Sequence, residues 1–279
     1  MKNFLILANT TKDEGLKLSL SIKEYLNRKN ASAVIVSDVN NHYNGIHIKE
    51  EYMDGIEAVI VLGGDGTMLS AASGIGEHDV PLVGVNLGTL GFLSEIEKNN
   101  IHDALDRLLE DDFTIEKRMM IMGTVNDQTF HSLNDIVITR AGFSRIIGLN
   151  VYLNGQLLDT YEADGVIVST PTGSTGYNLS AGGPIVSPKS KAIVVTPISP
   201  HSLTSKSVVF DGQDKISIEI VKKRKTQETE AIVSFDGSKS IPLSAGDVVY
   251  ASVSPKEVRL IKMYNVNFYS VLREKIGGS

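Results

Sequence analysis

The sequence predicts an α/β domain followed by an all-β, sandwich-like domain, and three observations carry that reading. Up to about Phe113, short apolar runs alternate with helical stretches, the rhythm of a doubly wound, Rossmann-like parallel sheet. One of those runs, Val59-Ile60-Val61-Leu62, enters the turn Gly63-Gly64-Asp65-Gly66-Thr67 and then a helix-forming stretch. Beyond Phe113 the helices stop, and short strands follow one another through close turns.

In order, Asn3 to Ala8 is an apolar strand, and Thr11 to Lys29 reads as a helix with Leu16, Leu20, Tyr25 and Leu26 on its apolar side, capped by Thr11 or Asp13. Ala33 to Val36 is a second strand ending at Asp38. An acid there would suit ribose recognition in a dinucleotide fold, but no G-x-G-x-x-G precedes it, so Asp38 reads as a turn residue. Asn40 to Lys49 is polar and irregular, which predicts a mobile loop. The Val59–Thr67 turn and its helix follow, then the strand Pro81 to Val85, the glycine-rich loop Asn86 to Leu93 and a short amphipathic helix from Ile101 to Leu109. In the second part, Met119 to Val125 and Thr129 to Thr139 flank Asn126-Asp127, and Leu149 to Leu153 and Gln156 to Thr160 flank Asn154-Gly155, both hairpin patterns. Gly165 to Ser169, Ala192 to Thr196, Lys215 to Val221, Ala231 to Phe235, Val248 to Val253 and Val258 to Lys262 are further strands. Lys222-Lys223-Arg224-Lys225 reads as a solvated hairpin tip, and Val266 to Ile276 as a final helix. The expected division is 1–113 for the α/β domain and 114–263 for the β domain, with 264–279 packing back on the first.

Composition narrows the function. The chain has 279 residues, 42% hydrophobic and 22% charged, ordinary for a globular protein. No apolar run approaches the roughly 20 residues of a membrane span, and the apolar start is too short for a signal region. With no cysteine there is no disulfide or thiolate chemistry; the expected location is the cytoplasm. A net charge of −6 argues against a nucleic-acid partner. The six histidines show no metal-ligand spacing, and neither a Walker loop nor a G-x-S-x-G elbow is present.

Two stretches remain. The turn Gly63–Thr67, between strand and helix, presents backbone N–H groups to an anion. Its acid would repel phosphate, so Asp65 makes better sense as a base or a metal partner beside phosphates; Asp65 or Thr67 also suits the N-cap. The second stretch, Thr170 to Pro184, follows a strand opened by Asp164-Gly165 and combines hydroxyls, glycines and Tyr177. Such a loop suits a ligand with hydroxyl and phosphate groups and a base, or it is a plain surface loop. Asn134-Asp135 suits an amide or amino group, although a turn is the simpler reading.

Gly63–Thr67 matches the G-G-D-G-T motif of a superfamily that contains NAD kinases, diacylglycerol and sphingosine kinases and 6-phosphofructokinases. Together with Asn86–Phe92 (N-L-G-T-L-G-F), Asn134-Asp135 and Asp164–Pro184, the chain resembles bacterial NAD kinases over nearly its whole length. The resemblance implies ATP-dependent phosphorylation of the adenosine ribose 2′-hydroxyl of NAD, giving NADP, with a divalent metal such as Mg²⁺. It implies that Asp65 is the proton acceptor and that Gly63, Gly64, Gly66 and Thr67 face ATP phosphate. It places Asp65, Gly66, Asn134, Asp135, Arg145, Glu162, Asp164, Thr175, Gly176, Tyr177, Asn178, Leu179, Ser180 and Ser199 at NAD, with Asn134 and Asp135 at the adenine and ribose and Asp164 at the nicotinamide end. No protein ligand to the metal is assigned. A homodimer or homotetramer is the family habit. The family usually has Glu at Asp135, Ala at Gly176 and Gln at Ser238. Two other readings stand beside it: a lipid or sugar kinase of the same superfamily, against which the full Thr170–Tyr177 loop counts, and a non-catalytic dinucleotide sensor, which would not need Asp65. ATP and polyphosphate stay open as donors.

Overall fold

The computed structural model describes residues 1–37, 48–76, 78–88, 91–142, 146–202, 204–221, 230–264 and 266–277. Asp38, His42, His47, most of the predicted 40–49 loop, Thr89, Leu90, Arg145 and the 222–225 tip lie outside them. In chain order the elements are β1 (Asn3–Ala8), α1 (Lys17–Arg28), β2 (Ser32–Val36), β3 (Ala58–Gly63), α2 (Asp65–Gly74), β4 (Leu82–Asn86), β5 (Ile96–Glu97), α3 (Ile101–Leu109), β6 (Thr114–Val125), β7 (Gln128–Ser132), β8 (Asp135–Arg140), β9 (Ile147–Leu153), β10 (Gln156–Ala163), β11 (Gly165–Ser169), α4 (Tyr177–Ser180), β12 (Ala192–Ile198), β13 (Val208–Asp211), β14 (Ile216–Val221), β15 (Glu230–Phe235), β16 (Lys239–Ser244), β17 (Val248–Lys262) and α5 (Phe268–Ile276). They form two compact units, Met1–Lys117 with Val258–Ser279, and Arg118–Glu257, so the divisions fall within β6 and β17.

The first unit is α/β. Its strands run parallel in the order β2, β1, β3, β4, with the end of β17 beside β4 through Leu260 and Leu82. Register is set residue by residue: Ile6 lies opposite Ile35 on one side and Ile60 on the other. The strands are unbroken apolar runs because the sheet is buried on both faces. On one face Phe4, Ile6, Ile60 and Leu62 pack with Ile22 and Leu26 of α1 and Ala104, Leu105 and Leu108 of α3. Each such side chain contributes about 2 kcal/mol by leaving water. α5 belongs to this unit, where Phe268 stacks on Phe92 with ring centroids 5.6 Å apart.

The first helix differs from its sequence reading. It starts at Lys17, not Thr11, because Gly15 (φ 64°) and Leu16 (φ 55°) take left-handed backbone. Ser19, Ile22 and Leu26 are buried while Leu20 is exposed, so the apolar face is rotated from the predicted one. Asp13 does cap it: its carboxylate accepts from the N–H groups of Leu18 (2.9 Å) and Ser19 (3.0 Å) and from the Ser19 hydroxyl (2.6 Å).

The second unit is a β-sandwich. One sheet orders β13, β12, β11, β8, β15, β16, all antiparallel. The other contains β10, β9, β14 and the start of β17, also antiparallel. Ile136, Ile138, Val166, Val168 and Val233 from the first meet Leu149, Val151, Ile218, Ile220 and Val249 from the second in one core. On the outer face of the first sheet, Val137, Ile167 and Ile198 form a smaller cluster against Ala181. Both predicted hairpins form: Asn126 and Asp127 (φ 48° and 59°) join β6 to β7, and Asn154 and Gly155 (φ 50° and 82°) join β9 to β10.

Two strand readings need correction. The predicted strand Thr129–Thr139 is broken at Leu133-Asn134, which separates β7 from β8, because the N–H groups there go to the Asp236 carboxylate instead of a ladder. Val248–Val253 and Val258–Lys262 are one strand, continuous through Pro255. Among the described residues, no helix is long and apolar enough to cross a membrane.

Candidate active site

In the first unit, strand order 2-1-3-4 changes direction between β1 and β3, and ligands of open α/β sheets bind outside the carboxyl ends of the strands at such a point. Two segments meet there. Gly63 ends β3, Gly64 stands extended before α2, and Asp65 is the first helical residue. Neither Asp65 nor Thr67 is therefore the N-cap, and no side chain caps the helix, so its first N–H groups have no side-chain partner. A Cβ on Gly63 would lie 2.2 Å from Thr67 Oγ1, so a larger residue would displace the threonine. Thr67 is buried and accepts from Asn9 Nδ2, which follows β1, at 3.4 Å. A Cβ on Gly64 would lie 3.3 Å from Lys12 Nζ, so the ammonium of the β1 loop stands beside the turn.

Asp65 is half-buried and turned toward the loop after β4. Its Oδ2 accepts from Phe92 N–H at 2.8 Å and its Oδ1 from Leu93 N–H at 3.1 Å. The carboxylate lies so close to Gly91 that a Cβ there would overlap it. Asn86 shapes the other end of this loop through a reciprocal pair with Gly88, at 2.8 and 3.0 Å. Each Asp65 oxygen keeps lone-pair capacity for a second donor. Gly66 is exposed at the mouth of the turn.

The second unit holds the other predicted residues in two groups at opposite ends of the β8–β11 pair. At one end, Asp236 takes the N–H groups of Leu133 (2.7 Å), Asn134 (2.8 Å) and Asp135 (3.1 Å) on its carboxylate. Its own N–H returns to the Asp135 carbonyl at 3.1 Å. The Asn134 carbonyl accepts from Thr170 N–H at 2.8 Å, and a Cβ on Gly173 would lie 2.2 Å from it. Asp135 is 6% exposed, and among the described residues no hydrogen bond reaches its carboxylate. Burial, and then the Asp236 charge, push Asp135 up to about 7. Burial also raises Asp236 to about 6, against the pull of its three N–H donors.

The Thr170–Pro184 stretch leans on this end, and most of its polar groups are spent internally. Thr170 Oγ1 donates to the Leu133 carbonyl (2.6 Å) and accepts from Gly173 N–H (3.0 Å). Ser174 Oγ donates to the Pro171 carbonyl at 2.7 Å and accepts from Val186 N–H at 3.0 Å. Asn178 is fully buried: it donates to the carbonyls of Ser174 (3.1 Å) and Pro184 (3.0 Å) and accepts from Thr196 Oγ1 (2.7 Å). Its side chain is scaffold. Thr175, Gly176 and Leu179 are half-buried, and Tyr177 and Ser180 exposed. A Cβ on Gly176 would come within 3.2 Å of the Gly173 carbonyl and 3.5 Å of Asn134 Nδ2, so glycine here leaves slightly more room beside Asn134 than alanine would.

At the other end, Asp164 Oδ1 pairs with Arg140 Nε at 2.7 Å. Asp164 N–H donates to the Ile198 carbonyl at 3.0 Å, next to Ser199, and His201 N–H donates to the Glu162 carbonyl at 2.8 Å. Glu162, Asp164 and Ser199 are thus brought together. Asp135 and Arg140 terminate the same strand, about 17 Å apart at ~3.3 Å per residue.

Sequence reasoning missed Asn9, Lys12, Arg140 and Asp236. Position after β1 at the direction change points to the first two, and the Asp-Gly turn at 236–237 marks the last as special. Arg140 has no local pattern. The Ser238 hydroxyl donates to the Phe235 carbonyl at 3.0 Å and closes that turn.

The ATP-NAD kinase N-terminal domain model matches residues 4–113, and the ATP-NAD kinase C-terminal domain model matches residues 133–263. NAD kinase of Lachnoclostridium phytofermentans is 44% identical over 99% of both chains, and that of Agathobacter rectalis 42% identical over 99% of both. An NAD kinase from Archaeoglobus fulgidus, solved in complex with ATP, superposes with a TM-score of 0.79 at 25% identity, covering 99% of each chain. Yeast NADH kinase complexed with NADH shares the fold, with a TM-score of 0.88 at 23% identity over 99% of this chain and 88% of that one. With both domain models matched in order and relatives above 40% identity along its length, the chain belongs to the ATP-NAD kinase family.

Proposed function

We propose that the chain transfers the terminal phosphoryl group of ATP to the 2′-hydroxyl of the adenosine ribose of NAD, giving NADP. The observation that carries this reading is the half-buried Asp65 at the first turn of a helix with no side-chain cap, at the direction change of the sheet. In the reaction Asp65 accepts the proton of the attacking hydroxyl, using the lone pairs left free by the Phe92 and Leu93 N–H groups. Gly63, Gly64, Gly66 and Thr67 face the phosphates, the Gly64 and Gly66 N–H groups as donors while the Thr67 N–H is held by the Gly64 carbonyl at 3.0 Å, with the Lys12 ammonium beside them as a counter-charge. Asn134 and Asp135 hold the adenine and ribose. Asp164, supported by Arg140, takes the nicotinamide end, and the length of β8 between the two groups suits an extended dinucleotide. Thr175, Gly176, Tyr177, Leu179 and Ser180 line the pocket, Asn178 shapes it from behind, and Arg145, Glu162 and Ser199 complete it.

Among the described residues no cluster of three or more His, Asp or Glu could hold a metal ion, and both Asp65 oxygens already accept N–H groups. The divalent cation, Mg²⁺, is assigned to the substrate: it enters chelated to ATP, as Mg²⁺ does where phosphates rather than a protein cage supply most of its ligands. Family resemblance supports a cytoplasmic homodimer or homotetramer.

The test is turnover of purified protein with ATP and MgCl₂ against NAD, NADH, diacylglycerol and a hexose phosphate. NADP formation is expected, abolished by EDTA, while the melting temperature stays within about 1 °C, as it would if no metal holds the fold. Turnover only with a lipid or a sugar would contradict the reading.

A further inference from the structure

The Asp135 side chain is buried and lacks a hydrogen-bond partner among the described residues, and the half-buried Asp236 accepts the Asp135 N–H on its carboxylate at 3.1 Å. Asp236 lies on the turn between β15 and β16, where Asp236 and Gly237 both take left-handed backbone (φ 48° and 66°). From there it gathers three successive N–H groups, of Leu133, Asn134 and Asp135, and it is what interrupts the strand at that point. Two acids joined in this way, each raising the cost of charging the other, do not ionise independently.

We propose that Asp236 is a positioning residue for the nucleotide: by accepting the N–H groups of Leu133, Asn134 and Asp135 it fixes the Asn134–Asp135 backbone and sets its carboxylate close to Asp135, so that NAD binding is coupled to loss of a proton from this pair. The inference rests on the reading that Asn134-Asp135 receives the nucleoside. Ribose hydroxyls and the adenine amino group are donors, and an ionised carboxylate accepts them where a protonated one cannot accept as fully. Binding therefore selects ionised Asp135, and a proton leaves to solvent. The neighbouring elements carry few titratable groups: His131 of β7 hydrogen-bonds Ser254 at 2.9 Å, and the exposed Lys239 of β16 lies over the Phe130 ring. Of the surrounding elements, β11 carries no titratable side chain, the flanking loop carries only the exposed Tyr177, and Arg118 of β6 donates to Thr172 Oγ1 at 3.2 Å. Arg140 stands at the far end of β8, paired with Asp164. Among the described residues, Asp236 is the charge that raises Asp135, after burial itself.

The sign is fixed by linkage: a carboxyl raised in the free protein and ionised in the complex gives affinity that grows with pH up to its free-protein value and then levels. With Asp135 at about 7, the dissociation constant for NAD falls about tenfold between pH 6 and pH 8, because the competent fraction rises by that factor.

Isothermal titration calorimetry with NAD at pH 6, 7 and 8, in buffers of different ionisation heat, reads both affinity and proton release. Wild type is expected to gain affinity about tenfold and to release a proton at pH 6. Asp236→Asn is expected to move the midpoint to lower pH, burial alone remaining to raise it, with KM for NAD altered and kcat at saturating NAD nearly kept. Asp135→Asn is expected to bind weakly and without pH dependence. A wild-type affinity flat between pH 6 and pH 8, or a midpoint unmoved by Asp236→Asn, overturns the proposal. Should Asp236→Asn not fold, the wild-type profile and Asp135→Asn decide by themselves. If Asp135→Asn binds NAD as tightly as wild type, the nucleoside reading of this pair fails, and the inference with it. If Asp135→Asn binds weakly while Asp236→Asn leaves the midpoint in place, the proposal fails and the nucleoside reading of Asn134-Asp135 stands.

Discussion

Asp65→Asn is expected to lower kcat for NADP formation by about 10²–10⁴-fold, the range removed when a positioned general base is lost, while the NAD dissociation constant changes little. The structure adds a second consequence that separates chemistry from structure. Asp65 accepts from two backbone N–H groups, Phe92 and Leu93. An asparagine keeps one acceptor and sets an NH₂ group against the other N–H, which costs about 1–2 kcal/mol and lowers the melting temperature by a few degrees. A residue that only latched the loop would show that stability loss with turnover reduced merely in proportion. Steady-state kinetics at saturating substrates, with calorimetric NAD titration of the same preparation, distinguish the two.

Asn178→Ala is expected to be the most destabilising single change among the site residues. Its side chain is fully buried and makes three hydrogen bonds, from Thr196 and to the carbonyls of Ser174 and Pro184. Truncation leaves those carbonyls dry and unpaired and opens a cavity under the loop, about 3–5 kcal/mol in all. A fall of about 10 °C in the unfolding of the β unit is expected by differential scanning calorimetry, together with a raised KM for NAD. A shift under about 2 °C would contradict this account of the residue.

The parts of the fold that depend on near neighbours were legible. Val59–Leu62 into Gly63 reads as strand and turn because a buried parallel strand must be apolar throughout and glycine must end it where Thr67 crowds the backbone. Asn154-Gly155 and Asn126-Asp127 read as hairpins because both residues of such a turn need left-handed backbone. What was not legible depended on distant partners. Leu133 N–H finds its acceptor 103 positions away in Asp236, so no local pattern announces the break between β7 and β8. Asp13 serves as cap from outside the first turn, across two left-handed residues, so the start of α1 was placed too early. The Thr170–Pro184 motif was recognisable, but its hydroxyls and Asn178 turn inward to hold the loop, which composition cannot tell from residues turned outward to a ligand.

The central claim is that Asp65 serves transfer to one hydroxyl of NAD. The most direct measurement is phosphorus NMR of the product formed from ATP and NAD, paired with turnover of an NAD analogue whose adenosine ribose lacks the 2′-hydroxyl. The account predicts a single new phosphomonoester resonance on the adenosine 2′-oxygen and no turnover of the analogue. A phosphorylated analogue, a phosphate at another hydroxyl, or NAD bound without any product would contradict it.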